Sequence, residues 1–355
     1  MMRRFEGIYP PAITSFTKDG DIYEKGIRNV VRYLMSEGVH GLFINGSYGS
    51  CALMTIEERK RVAEIIHDEV SDRLPIITHV GEASTRATIE LAKHAEGLGS
   101  AAVAAVVPYY YPGVNAYDED QIIRHYADLT ASVGVPTFIY NNPKTSGYTL
   151  TSELLAELVK VGVLGMKDSS GSFALLVEFN QAATRVNSEF TCMCGSVGMM
   201  QPAYNIGIKG CVSGTANAFP ELAVSLYKAL AAHDLEKSKE LQNLVIAERK
   251  IQATGGFRPA GCYTFLRLKG IDCGTVRRPW REPNDREARY MKEEAIKLDL
   301  LKGDGQAENE KDDEREPLRG RMRSNSPFDG SDVLAKVVNL RRIASCAAKT
   351  LPLSA

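Results

Sequence analysis

Lys167 ends an otherwise apolar run, Val163-Leu164-Gly165-Met166-Lys167. Lysine is seldom buried without a partner. An ammonium held in an apolar cavity loses hydration, which lowers its pKa and enlarges the neutral fraction. A neutral amine can attack a ketone and form an imine. The protonated imine draws electrons from the next carbon, which can then act as an enamine nucleophile or release a bond partner. A lysine at a strand mouth paired with Asp168 fits the same residues, and both readings stand at this point.

Tyr140 precedes Asn141-Asn142-Pro143, whose last two residues make a turn. A phenol beside an imine can relay protons. A core tyrosine whose hydroxyl is satisfied by backbone is the plainer alternative. Gly46-Ser47-Tyr48-Gly49 is a third candidate. Its glycines free the backbone to approach a ligand, and its amides with the Ser47 hydroxyl could hold a carboxylate. An ordinary glycine-rich turn has the same composition. Further polar sets are Pro108-Tyr109-Tyr110-Tyr111-Pro112 and Ser213-Gly214-Thr215-Ala216-Asn217.

These segments share one trait: each closes a short apolar, β-branched run. The runs are 8–14, 41–46, 75–80, 101–108, 136–141, 163–167, 190–195 and 210–214. Segments of helical period lie between them, among them 57–69, 86–98, 118–132 and 151–161. Near-continuous apolar runs suit parallel strands covered on both faces. Strict alternation over eight repeats predicts an α/β fold of the (β/α)8 TIM-barrel type, whose chemistry sits at the C-terminal strand ends. Thr55 followed by Glu58, and Thr151 followed by Glu153, give cap-like helix starts.

Beyond the eighth run, 220–232, 234–252 and 259–268 have helical patterns that exceed one barrel helix. The expected organisation is a barrel over 1–232, a C-terminal helical subdomain over 233–302 and a charged, disordered tail over 303–355, with one amphipathic helix at 333–348. The 355-residue chain is 44% hydrophobic and 25% charged with net charge −1. That is a globular composition with no global field for nucleic acid or an anionic membrane. No run approaches a membrane span, and no secretory h-region follows the first arginines. Seven scattered cysteines, Cys192 and Cys194 among them, read as reduced, buried thiols of a cytoplasmic protein. Six dispersed histidines offer no metal-ligand cluster.

Together these segments resemble the dihydrodipicolinate synthase / N-acetylneuraminate lyase family of pyruvate-dependent class I aldolases. The resemblance runs from about Gly7 to about Pro279. It includes Pro10-Pro11-Ala12-Ile13-Thr14-Ser15-Phe16, Glu37-Gly38-Val39-His40-Gly41-Leu42 and Leu53-Met54-Thr55-Ile56-Glu57-Glu58-Arg59. It continues through Pro108-Tyr109-Tyr110, Tyr140-Asn141-Asn142-Pro143, Gly165-Met166-Lys167-Asp168-Ser169-Ser170 and Lys269-Gly270-Ile271-Asp272-Cys273-Gly274. It implies that Lys167 forms the imine, Tyr140 relays protons, and Ser47 with nearby backbone holds the pyruvate carboxylate. Tyr48, Tyr110, Thr145 and Ser213 are the further substrate-binding candidates. The resemblance also implies no metal or organic cofactor, a 2-oxo acid and an aldehyde as small-molecule partners, and a homotetramer built from dimers, with Tyr110 at the dimer contact.

Three departures narrow the function. The family usually has a second hydroxyl residue and an acid where this chain has Tyr48 and Ser50; an aromatic there resembles the hydratase-aldolase branch. The synthases carry an arginine two residues after the proline of Tyr-Asn-x-Pro to grip a distal carboxylate. Here that position is Thr145, and a hydroxyl does not replace a guanidinium fork. Sialic acid lyases place acids after strand seven, where this chain reads Gly195-Ser196-Val197-Gly198-Met199-Met200. With Tyr48, Met199 and Met200 suggest a less polar distal pocket. The leading expectation is a Schiff-base lyase that makes or breaks a carbon–carbon bond next to a 2-oxo acid, of the 2-keto-3-deoxy acid aldolase, dehydratase or hydratase-aldolase type. The 4-hydroxy-tetrahydrodipicolinate synthase of lysine biosynthesis and a non-catalytic 2-oxo-acid-binding barrel are the alternatives.

Overall fold

The apolar runs form eight strands, β1 Gly7–Tyr9, β2 Leu42–Ile44, β3 Ile76–His79, β4 Ala102–Val106, β5 Thr137–Asn141, β6 Val163–Asp168, β7 Thr191–Cys194 and β8 Gly210–Val212. The computed structural model describes residues 5–111 and 117–303. The expected tail and its helix at 333–348 lie outside the described residues. All strand pairs are parallel, in the order β1-β8-β7-β6-β5-β4-β3-β2. The ring nears closure just beyond β1, where Pro11 bridges Phe43. There the Phe43 amide donates to the Pro10 carbonyl at 3.0 Å and the Ala12 amide donates to the Phe43 carbonyl at 2.9 Å. The bridge brings the two ends of the sheet together and nearly closes the barrel.

Strand alternation separates two cores. Phe5, Tyr9, Phe43, Ile77, Phe138, Tyr140 and Met193 fill the barrel. Larger numbers of Ile, Leu and Val pack between the strands and the surrounding helices. Gly165 lets the lower layer close, because a Cβ there would lie 2.5 Å from the Phe138 ring. Cys192 and Cys194 share the outer face and are buried, and burial pushes the Cys192 thiol well above its ordinary value.

Helix starts follow side-chain chemistry. Thr55 accepts from the Glu58 amide while the Glu58 carboxylate accepts from the Thr55 amide, a complete capping box on helix Ile56–Val70. Thr151 caps helix Ser152–Lys160 by accepting from the Leu154 amide, and Glu153 takes no part. After β8, helices Pro220–Ala231, Leu235–Gln252 and Arg258–Leu268 form as read from the sequence. A further helix, Asp285–Lys297, was not legible. It buries only Met291 and Ala295, too few to mark a period, and its start rests on an Asn284–Glu287 capping box. The Lys269–Gly274 segment returns to the barrel, where Asp272 accepts from the Tyr23 hydroxyl at 2.6 Å and Thr275 bridges Phe16. Among the described residues no helix is long and apolar enough to cross a membrane.

Candidate active site

Lys167 lies on the inner face of β6 at its C-terminal end, in register with Tyr140 on β5 and Met193 on β7. It is 4% exposed. Asp168, one residue on, points to the opposite face. There it accepts from Asn141 Nδ2 at 2.7 Å, Ser170 Oγ at 2.8 Å and the Ser170 amide at 3.1 Å. The reading in which Asp168 neutralises Lys167 is therefore excluded by strand alternation. Lys167 Nζ instead sits 3.9 Å from the Tyr140 ring centroid and 4.0 Å from that of Phe43. Burial lowers the Lys167 pKa, and the Tyr140 phenol partly opposes the shift. The ring faces favour a cation at Nζ without giving it a counter-ion.

The Tyr140 hydroxyl accepts from Asn142 Nδ2 at 3.0 Å and lies 3.4 Å from Ser47 Oγ. Its ring is met edge-on by His79, with centroids 5.6 Å apart at 90°. The partners of His79 assign its tautomer. Nδ1 donates to the Asn45 carbonyl at 2.9 Å, and Nε2 accepts from the Val106 amide at 3.3 Å. Burial, with Arg59 adding, holds its pKa well below the ordinary value, so the ring is neutral. Arg59 is fully buried and donates to the carbonyls of His79 at 2.7 Å and Gly81 at 3.0 Å, and to Glu82. Glu82 in turn accepts from the Tyr109 hydroxyl at 3.1 Å. This network, which leaves Arg59 Nε without a hydrogen-bond partner, forms a wall beside Tyr140.

The Asn45–Ser50 loop completes the site. Asn45 and Ser50 have φ of 55° and 58°, which curls the chain. Gly46 leaves room for the Phe43 ring, which a Cβ would approach to 2.8 Å. The Ser47 and Tyr48 amides find no acceptor among the described residues. Two free amides beside a serine hydroxyl make a ready carboxylate cradle.

The other candidates are more dispersed. The Tyr48 ring turns toward β8: a Cβ on Gly214 would meet its hydroxyl at 2.3 Å. It makes no hydrogen bond to Tyr140, whose partners are Ser47 and Asn142. Thr145 is exposed on the short helix Pro143–Ser146 and donates to the Asn142 carbonyl at 3.1 Å. Tyr110 is 75% exposed with φ of 86° and stacks edge-on against Tyr111. Ser213 is fully buried, and its hydroxyl accepts from the Ala216 amide at 3.3 Å. Met200 is buried in the outer core, and Met199 is partly buried against that core.

Sequence reading missed Phe43, His79, Asn142, Glu248 and Arg249. Phe43, His79 and Asn142 had a signal, since each belongs to or follows an inward-facing strand end. Removing the Phe43 face by Phe43→Leu is expected to lower kcat/KM about 5-fold and to move the acid limb of the pH profile downward, because the ammonium loses stabilisation relative to the amine. An unchanged profile would show that the ring only fills space.

Glu248, on helix Leu235–Gln252, is fully buried. Its Oε2 accepts from Thr215 Oγ1 at 2.7 Å, and Oε1 has no partner. Burial pushes the carboxyl from an ordinary 4.5 up to about 7, against the Thr215 hydrogen bond. Between those values the folded protein keeps a proton that the unfolded chain has lost, so stability falls as pH rises through that window. Glu248→Gln is expected to match the parent near pH 4.5 and to exceed it at pH 8 by up to ~3 kcal/mol. Thermal melts at both pH values check this, and an equal difference at each would refute it.

The Dihydrodipicolinate synthetase family model matches residues 4–298. The chain belongs to that family. It is 31% identical over 301 residues to a 4-hydroxy-tetrahydrodipicolinate synthase of Methanopyrus kandleri, covering 84% of this chain and 98% of the relative. It is 30% identical over 300 residues to an N-acetylneuraminate lyase of Mediterraneibacter gnavus, covering 83% and 92%. Among solved structures, YagE of Escherichia coli K12, a dihydrodipicolinic acid synthase family protein in complex with pyruvate, superposes with a TM-score of 0.79 at 28% identity, covering 84% of this chain and 99% of YagE. The eight-stranded barrel is thus the family's fold, and the protein is an enzyme of the lyase and aldolase type.

Proposed function

We propose that this enzyme forms a Schiff base between Lys167 and pyruvate or a related 2-oxo acid, and makes or breaks the carbon–carbon bond one position away. The observation that carries this reading is a buried lysine with no counter-ion, held between two ring faces beside a tyrosine hydroxyl and two free amides. The amides of Ser47 and Tyr48 with Ser47 Oγ receive the substrate carboxylate. Lys167 Nζ adds to the C2 ketone, and loss of water leaves the iminium. In cleavage, Tyr140 has given its phenol proton to the hydroxyl that left C2 as water, and as the phenolate it takes the proton of the C4 hydroxyl; the C3–C4 bond breaks, an aldehyde departs and the electron pair of that bond becomes the enamine. Protonation at C3 and hydrolysis then release pyruvate. Condensation is the reverse. Asn142 and Ser47 hold the Tyr140 oxygen in place between these transfers.

The placement of Thr145, exposed and turned to the Asn142 carbonyl, favours a 2-keto-3-deoxy acid aldolase over the lysine-pathway synthase. A coupled lactate dehydrogenase assay tests this with 2-keto-3-deoxy acids, against condensation of pyruvate with aspartate semialdehyde. Pyruvate release that depends on Lys167 is the expected result. Efficient condensation with the semialdehyde, and no release, would return the synthase reading. A cytoplasmic homotetramer belongs to the same proposal, supported by the family's habit and by the exposed Tyr110 and Tyr111.

A further inference from the structure

Arg249 follows Glu248 on helix Leu235–Gln252 and is half-buried. It makes no hydrogen bond or ion pair among the described residues. Glu248 acts on it through charge alone and makes no hydrogen bond to it, since Glu248 Oε2 is taken by Thr215 and burial holds the carboxyl up at about 7. The arginine side chain reaches the loop after β7. A Cβ on Gly198 would lie 3.7 Å from its Nε and 3.8 Å from its Cδ. That loop stands at the C-terminal end of the barrel, on the same side as Lys167. The positive charges of Arg249 and Lys167 both act on Cys211 of β8, against its hydrogen bond to Cys194 and its burial. The Tyr48 phenol, raised by burial, feels Arg249 and the exposed Arg258 as opposing charges.

A guanidinium cannot shed its proton, so a half-buried one with no hydrogen-bond partner is left poised for an anion. We infer that Arg249 holds a second, distal carboxylate of the substrate, so that the preferred 2-oxo acid is dicarboxylic. This deepens the proposed function and rests on it. The acceptor's far end is then fixed from the β7–β8 side of the barrel, across from Thr145 after β5, which changes the length of acceptor that fits. A single negative charge suits the site better than a phosphate dianion, because Glu248 adds its own charge there once ionised. A bidentate guanidinium–carboxylate pair gives at least about tenfold in affinity.

The test measures borohydride trapping at Lys167 as a function of concentration for pyruvate, 2-oxoadipate and 2-oxohexanoate. The last two share a chain length and differ in the far carboxylate. The parent enzyme is expected to half-saturate with 2-oxoadipate at least about tenfold below 2-oxohexanoate. Arg249→Gln is expected to bring that ratio near one, and Arg249→Lys to keep part of it. Equal half-saturation in the parent, or an undiminished preference in Arg249→Gln, would overturn the inference while leaving the lyase reading in place. Absence of pyruvate trapping in the parent would instead overturn the imine reading itself.

Discussion

Replacing Lys167 by methionine is expected to cut turnover by at least about 10⁴-fold while leaving the barrel folded and more stable near neutral pH. Lys167 is the only lysine within the eight described strands, so no second strand-borne amine can take over the imine. The stability claim follows from linkage. The folded state holds the Lys167 pKa below its ordinary 10.5, chiefly through burial. The unfolded chain therefore binds more protons between the two values, and stability rises with pH across that interval. Below it, the full cost of burying an ammonium is present, offset in part by the Phe43 and Tyr140 ring faces. Methionine keeps the volume and has no charge to bury. A higher Tm at pH 7 together with lost turnover would separate chemistry from folding. A destabilised variant would mean that the lysine is a structural element of the core.

The second large effect is at Tyr140. Tyr140→Phe keeps the ring that faces Lys167 and loses only the hydroxyl shared with Asn142 and Ser47. It is expected to lower kcat by about 10²- to 10³-fold, the usual worth of a positioned general acid–base group, with a smaller change in KM. Imine trapping should still occur, more slowly. Loss of trapping altogether would assign Tyr140 a role in holding the amine. A near-normal kcat would hand proton relay to another group.

How far the sequence revealed the fold and the site depended on whether local chemistry or distant packing set each feature. All eight strands were legible because parallel strands buried on both faces must be apolar runs, from Gly7–Tyr9 to Gly210–Val212. The Thr55 box was legible because its two partners are three residues apart. Helix Asp285–Lys297 was not, since an exposed helix that buries Met291 and Ala295 has almost no apolar period. Lys167, Tyr140 and Ser47 stood out as polar residues at strand ends, and they come together. Whether Asp168 neutralised the lysine stayed open in the sequence, and the pleat decides it by sending the two side chains to opposite faces. Tyr48 was legible as a departure from the family pattern, but its turn toward Gly214 depends on the absence of a Cβ more than 160 residues away in the chain. Arg249 carried no sequence signal. It lies on a polar helix like many surface arginines, and only the folding of that helix against the β7 loop distinguishes it.

The most direct test of the central claim is reduction with borohydride in the presence of pyruvate, followed by intact mass and a peptide map. A single pyruvate-derived adduct is expected, located on Lys167 and missing in Lys167→Met. No adduct on a folded enzyme, or an adduct that persists at another lysine in Lys167→Met, would contradict it.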